Sequence, residues 1–65
     1  MNKNKLEGKW DKAVGSIKEN WGKLTDQDLE KVKGKTDKLI GLIEEKYGET
    51  KESIEKKINT LLDKL

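Results

Sequence analysis

The sequence contains no cysteine, no histidine, no arginine and no proline. Without cysteine the chain can form neither a disulfide nor a thiolate metal site. Without histidine it lacks the other usual zinc ligand and the usual general base near neutral pH. Carboxylates, lysines and a single tyrosine remain as candidate catalysts. We therefore expect no enzymatic activity, no small-molecule substrate, no cofactor and no metal site.

The absence of arginine also limits how the chain can bind phosphate groups. All 15 basic residues are lysines, and they are finely mixed with 13 acidic residues to give a net charge of +2. Lysine cannot make the bidentate contact that arginine makes with phosphate or guanine. The first 24 residues carry a net charge of +3 and the remainder a net charge of −1. This mild asymmetry leaves open a nucleic-acid- or protein-binding module that uses the first part of the chain.

Apolar residues are scarce as well, at 31% against 43% charged residues. No apolar run approaches the length of a membrane span, and charged residues follow the first six in place of a signal-peptide core. We therefore expect a cytoplasmic protein. A chain of this length buries only about 60% of the surface of its unfolded form. We expect one domain over residues 1–65 with little stability in reserve.

The residues that are present form an internal repeat. Residues 8–23 read GKWDKAVGSIKENWGK, and residues 34–49 read GKTDKLIGLIEEKYGE. Both copies have glycine at their first, eighth and fifteenth positions. Trp21 corresponds to Tyr47, and after a slip of one residue Thr25 corresponds to Thr50. One helical unit is therefore used twice.

The spacing of apolar residues predicts four helices. Residues 5–21 place an apolar residue at steps of four and three, which is the period of one helix face. A short helix follows a Thr25 cap and stops at Gly34, and the second copy predicts two more helices, separated by Gly48 and a Thr50 cap. The predicted core is Leu6, Trp10, Val14, Ile17, Trp21, Leu24, Leu29, Val32, Leu39, Ile40, Ile43, Tyr47, Ile54, Ile58, Leu61 and Leu62. The predicted caps are Gly22, Thr25, Gly34, Gly48 and Thr50.

No run of residues alternates with period two, so the fold class is predicted to be all-α. The helices pair as two αα-hairpins, over about residues 5–33 and 35–65. Each hairpin is too thin to bury its own apolar face, so the two should dock about a pseudo-twofold axis.

Two pairs of glycines need separate explanations. Gly22 and Gly48 are predicted to be left-handed residues just past helix ends. Gly15 and Gly41 lie in mid-helix opposite the core, where glycine costs about 1 kcal/mol relative to alanine. Either another backbone approaches closely at these positions, which we favour because glycine permits it, or the helices are weak by design.

Three binding hypotheses are less favoured than a structural role. Trp10 and Trp21 could stack on nucleic-acid bases, but aromatic residues at core-facing spacing usually pack inside. The turn at residues 22–25 could hold a phosphate, although Glu49 occupies the corresponding place in the second copy. The last helix could lie on a membrane, but its polar face mixes both charges. The partner is not identified by the sequence.

The run W-G-K-L-T-D at residues 21–26 is followed by Asp28-Leu29, Gly34-Lys35, Tyr47-Gly48 and Lys51-Glu52. This pattern, with the earlier Gly8-x-Trp10, resembles the CsbD family of small bacterial stress-response proteins. The resemblance implies a cytoplasmic bacterial protein that is induced under general stress and has no catalytic residues. It also implies a four-helix fold in which the two hairpins pack roughly orthogonally.

The composition is similar to that of the hydrophilins, which are glycine-rich proteins made during water loss, as a mean hydropathy of −1.02 suggests. Our first hypothesis is a non-enzymatic stress-response protein that protects by its abundance and its hydrated surface. The alternative is the nucleic-acid- or protein-binding module described above.

Overall fold

The computed structural model describes residues 3–65, and every regular element in this range is a helix. The helices are α1 (Lys3–Gly8), α2 (Trp10–Asn20), α3 (Asp26–Val32), α4 (Thr36–Tyr47) and α5 (Lys51–Asp63). The predicted all-α class is therefore confirmed.

The first predicted helix is divided in two at Lys9, so the prediction of four helices was wrong. Lys9 has φ −109° and ψ 17°, outside helical geometry. The backbone bonds nevertheless continue across it, because Lys9 N donates to Lys5 O at 3.1 Å and Ala13 N donates to Lys9 O at 2.8 Å. Gly8, a weak helix former, directly precedes the irregular residue. The periodicity could not reveal this break, since Leu6 and Trp10 on either side of it are both buried.

One apolar cluster contains residues from all five helices. Its largest fully buried side chains are Trp21, Leu6, Ile17, Leu39, Ile43, Ile54, Ile58 and Leu62. Two predicted core residues, Val14 and Tyr47, are only partly buried at the edge of the cluster, whereas Ala13 is fully buried. In α2 the buried face follows Trp10, Ala13 and Ile17 at steps of three and four, which turns the neighbouring Val14 toward the rim.

The helices pack mainly through α4 and α5, which form the most extensive helix pair. Helix α2 packs on α5, α3 packs on α4, and α1 contacts both α2 and α4. Helices α2 and α3 make at most slight contact with each other, so the predicted first hairpin is not a closely packed unit by itself. The roughly orthogonal packing of two hairpins about a pseudo-twofold axis stays a prediction.

Two threonines cap the helices that follow the turns. Thr25 Oγ1 accepts from Asp28 N at 3.0 Å, and Asp28 Oδ2 accepts from Thr25 N at 3.0 Å, which makes a reciprocal capping box at the start of α3. Thr50 Oγ1 accepts from Ser53 N at 3.2 Å at the start of α5. Each bond satisfies a backbone donor that the helix leaves unpaired.

The helix ends differ between the two copies. Gly48 is left-handed with φ 64°, and Gly34, which follows α3, has φ 74°. Gly22 does not have positive φ, so the prediction of a left-handed cap there was wrong. Helix α2 ends at Asn20, the following residue Trp21 has φ −130° and ψ 75°, and Leu24 N donates to Trp21 O at 3.0 Å. This extended exit places the Trp21 ring in the core, where it is 1% exposed.

The mid-helix glycines face open space. A methyl group built on Gly15 or Gly41 would meet no atom within 4 Å, apart from the backbone of its own helix and its chain neighbours. The hypothesis that a second backbone approaches these positions was therefore wrong. The weak-helix hypothesis remains.

Candidate functional site

The two interhelical turns of the repeat meet at one end of the molecule, and we call this meeting point the turn junction. It is built from Trp21 and Lys23 of the first copy and from Tyr47 and Glu49 of the second. Trp21 Nε1 donates to Glu49 Oε1 at 3.1 Å, and Lys23 N donates to the Tyr47 hydroxyl at 2.7 Å. Each aromatic side chain therefore bonds to the turn of the other copy.

Glu49 is the most highly connected side chain of the turn junction. Besides Trp21, its carboxylate accepts from Ser53 Oγ at 2.8 Å and pairs with Lys57 Nζ at 3.0 Å. Burial raises the pKa of Glu49, but the bonds from Trp21, Lys57 and Ser53 outweigh this effect and leave the pKa below its usual value. Glu49 is therefore a charged acceptor at neutral pH and not a proton donor.

A second group of bonds surrounds Asp28 beside the same turn. Lys46 Nζ donates to Asp28 Oδ2 at 2.9 Å and lies 3.5 Å from Lys23 O. The backbone N–H of Thr25 and then the Lys46 ammonium lower the pKa of Asp28 to about 2. Lys23 Nζ lies 5.2 Å from the centroid of the Tyr47 ring, within the range of a cation–π contact. Lysines of α4 and of the first turn thus hold the two copies together.

The turn junction can hold helices in place, but it offers little to a ligand. In the first turn Lys23 N, Leu24 N and Thr25 N already donate to protein acceptors. These bonds disfavour a phosphate at residues 22–25, because they use three of the backbone donors there, and the phosphate hypothesis stays a prediction. Trp10 and Trp21 are 5% and 1% exposed, so neither ring offers a face to a nucleic-acid base.

Exposed ion pairs add connections elsewhere. Lys3 Nζ lies 2.8 Å from Asp37 Oδ1 and ties α1 to α4, and Lys5 Nζ lies 3.3 Å from Asp63 Oδ1 and ties α1 to α5. The hydrogen bond between Lys3 and Asp37 raises the pKa of the lysine and lowers the pKa of the aspartate. Such exposed pairs contribute little to stability.

An open groove of about 390 Å³ lies between α2 and α5. We call it the α2–α5 groove. It is lined by Ser16, Glu19, Asn20, Ser53, Lys56, Lys57, Thr60, Leu61 and Lys64. From the sequence, these lysines were recognised only as part of a polar face with charges of both signs. The groove itself could not be predicted, because its α2 residues are far from the lysines in the chain.

Two further properties can be stated for residues 3–65. Their histidine-free set of carboxylates contains no group of three that could hold a metal ion. None of their helices combines the length and the apolar character needed to cross a membrane.

The sequence missed how the turn junction is connected. From the sequence, Glu49 was considered only as the acidic residue of the second turn, and no bond was predicted for Ser53 or Lys57. A local signal does exist, because Ser53 and Lys57 follow Glu49 at steps of four and share one side of α5. The bond from Trp21 has no such signal, since it joins residues 28 positions apart.

Comparison with known proteins places these features in a family. A UPF0337 protein of Protochlamydia amoebophila is 59% identical over 29 residues, which cover 45% of this chain and 44% of that protein. A UPF0337 protein of Mesorhizobium japonicum is 52% identical over 31 residues, covering 48% and 46%. One of Escherichia coli is 52% identical over 29 residues, covering 45% and 42%. The matched part of the chain spans less than half the length of each of these relatives.

No solved structure matches the chain. The model of the CsbD-like family matches residues 4–56, a range that includes both aromatic residues of the turn junction and both threonine caps. The match covers most of the sequence and confirms the resemblance seen in its motifs, so the chain belongs to the CsbD-like family.

Proposed function

We propose that this chain is a bacterial general stress-response protein without enzymatic activity, which acts in the cytoplasm as an abundant, hydrophilic protective protein. Family membership supports the connection to stress. The lack of histidine and cysteine supports a role that involves no catalysis. The turn junction supports it as well, because the Glu49 carboxylate is already bonded to Trp21, Ser53 and Lys57.

The observation that carries the proposal is the pair of open mid-helix glycines. Gly15 and Gly41 each lower helix stability by about 1 kcal/mol relative to alanine. No close contact with a second backbone offsets this loss. In a domain this small, such a loss is a large share of the total stability. We therefore expect the helix content of the protein to rise as water becomes scarce or as excluded osmolytes accumulate.

The surface fits protection by hydration and not by binding of exposed apolar segments. Within the described residues Leu65 is the one large apolar side chain that is exposed, at 39%. Both signs of charge are spread over the rest, which keeps a crowded protein soluble. We infer that the protein separates other macromolecules by its own volume and hydration shell.

The alternative, a nucleic-acid- or protein-binding module based on the lysine-bearing first hairpin, is not favoured by any contact at the turn junction. The two tryptophans of this hairpin are buried, and the backbone N–H groups of Lys23, Leu24 and Thr25 already donate to protein acceptors.

A drying experiment tests the proposal. A labile enzyme is dried and rehydrated with equal masses of the wild type, the Gly15→Ala/Gly41→Ala variant, or an unrelated small folded protein. We expect the wild type to preserve the most enzyme activity, the glycine variant to preserve less, and the unrelated protein to preserve least. Preservation by the wild type no better than by the unrelated protein would overturn the protective role. Equal preservation by both forms of this chain would show that weak helices are not its basis.

A circular dichroism melt with and without an excluded osmolyte tests whether weak helices are the basis of the protective role. The osmolyte should raise both the helicity and the melting temperature of the wild type. Without osmolyte, the glycine variant should already have a higher helicity and a higher melting temperature than the wild type. Glu45→Ala, at an exposed position of α4, is the control for adding an alanine to a helix, because glutamate and alanine have similar helix propensities.

A further inference from the structure

The α2–α5 groove adjoins the turn junction, because Ser53 and Lys57 line the groove and also bind Glu49. Three of its lining residues are lysines, Lys56, Lys57 and Lys64, whereas Glu19 is its single carboxylate. Lys57 is already paired with Glu49. The structure records no ion pair for Lys56 or Lys64 within residues 3–65, and both are exposed. Two lysines without an ion pair, Lys56 and Lys64, therefore line a cavity of about 390 Å³, and Lys56 also lines a neighbouring cavity with Glu52 and Glu55.

The opposite wall supplies neutral hydrogen-bond donors. Asn20 uses one amide hydrogen on Ser16 O at 2.9 Å, which leaves the other hydrogen available. The Ser16 hydroxyl, at a partly buried position, has no hydrogen-bond partner in the described part of the chain. Thr60 lies on the lysine-bearing wall and uses its hydroxyl hydrogen on Lys56 O at 3.1 Å, so it adds no donor to the groove. Ammonium groups on one wall and neutral donors on the other suit an anion with many acceptor oxygens.

The spacing of the lysines selects the shape of that anion. Lys56 and Lys64 are eight residues apart, which corresponds to about 12 Å along the helix axis. An extended anion can bridge two lysines whose backbone positions are this far apart. No aromatic ring lines the groove, and both tryptophans are buried, so nothing there would stack on a nucleobase. The groove selects for linked phosphate groups without bases.

We propose that the α2–α5 groove binds linear chains of phosphate groups, with Lys56 and Lys64 contacting the two ends and Ser16 and Asn20 contacting oxygens between them. This activity is independent of the protective role proposed above, since it needs one defined groove and not the whole hydrated surface.

Isothermal titration with sodium tripolyphosphate, at about 0.15 M salt to screen weaker contacts, tests this proposal. The test variant is Lys56→Gln/Lys64→Gln, and the matched control is Lys31→Gln/Lys33→Gln, which removes the same charge from exposed positions of α3 and its end. We expect the groove variant to bind tripolyphosphate at least roughly tenfold more weakly than the wild type, because two charge-assisted bonds are lost. The control should bind like the wild type, and Lys56→Arg/Lys64→Arg should retain binding.

Three outcomes would overturn the proposal. One is no measurable binding by the wild type. Another is equal weakening in the groove variant and the control, which would mean that net charge alone attracts the anion. The third is tighter binding of a single-stranded oligonucleotide than of tripolyphosphate at the same salt concentration, which would favour nucleic acid as the ligand. Circular dichroism of each variant checks that lost binding does not reflect lost helix.

Discussion

Trp21 and Tyr47, the corresponding aromatic residues of the two copies, each bond to the residue two positions beyond the other. Trp21 Nε1 donates to Glu49, and the Tyr47 hydroxyl accepts from the backbone of Lys23. The chemistry of the two bonds differs, but their positions in the repeat are the same. The exchange joins the two halves of the chain at their turns.

Removing the Glu49 carboxylate should destabilise the fold. Glu49→Ala leaves the Trp21 indole N–H without its acceptor, in a side chain that is 1% exposed. An unpaired buried donor costs about 1–3 kcal/mol, so we expect a loss of this size in the free energy of unfolding, measured by urea titration. Glu45→Ala, on the exposed face of α4, is the control and should change stability by less than about 0.5 kcal/mol. Equal losses in the two variants would show that the bond to Trp21 has no net value.

Stability should fall at acidic pH as the carboxylates of Asp28 and Glu49 become protonated. The folded pKa of Asp28 is about 2, below its ordinary value of 3.8, and the pKa of Glu49 is also lowered from 4.5. A carboxylate with a lowered folded pKa contributes stability above its unfolded pKa, and that contribution is lost as the pH falls through the folded pKa. We therefore expect the melting temperature to drop between pH 4.5 and about 2.

The double variant Asp28→Asn/Glu49→Gln should flatten this dependence. Some pH dependence of the melting temperature will persist in the double variant, because Lys3 also lowers the pKa of Asp37. A wild-type slope retained in full by the double variant would assign the acid sensitivity to other groups.

Replacing the open glycines should stabilise the protein. Gly15→Ala and Gly41→Ala each add a methyl group where nothing lies within 4 Å, so each should gain about 1 kcal/mol. The gains should add, because the two glycines lie on different helices and have no shared contacts. Gly48→Ala is the opposing control, since its φ of 64° should make the same substitution destabilising. A loss of stability at Gly15 or Gly41 would contradict the weak-helix interpretation.

Thr36 offers a gain in stability of another kind. Its hydroxyl is buried at the first position of α4 and has no hydrogen-bond partner within residues 3–65. Thr36→Val replaces this hydroxyl by a methyl group of similar size, so the free energy of unfolding should rise by about 1 kcal/mol. Thr60→Val, at an exposed position where the hydroxyl donates to Lys56 O, should bring no gain. A lower stability of Thr36→Val in urea titration would mean that the hydroxyl makes a bond in solution.

The parts of the fold that the sequence could predict are those set by neighbours in the chain. Apolar spacing indicates where Ile17, Leu39 and Ile58 face inward, because a helix face depends only on its own period. A threonine three positions ahead of its bonding partner is likewise a local signal, as at Thr25 and Thr50.

The parts that it could not predict depend on contacts between distant residues. Gly22 has the sequence of a helix cap, but burial of the adjacent Trp21 ring selects an extended exit in its place. The break at Lys9 leaves the apolar stripe intact, so no pattern marks it. Whether Gly15 faced a backbone or open space depended on how the helices pack, which the repeat alone does not define.

The exchange at the turns makes the two copies obligate partners. Neither copy carries the group that satisfies its own aromatic side chain, and the first copy's helices α2 and α3 pack on α5 and α4 and hardly on each other. A fragment of residues 1–33 should therefore remain unfolded alone and regain helix when it is mixed with residues 34–65, which circular dichroism of the mixture would show. Cutting the chain between its repeats would then yield two complementary halves and no independent folding unit.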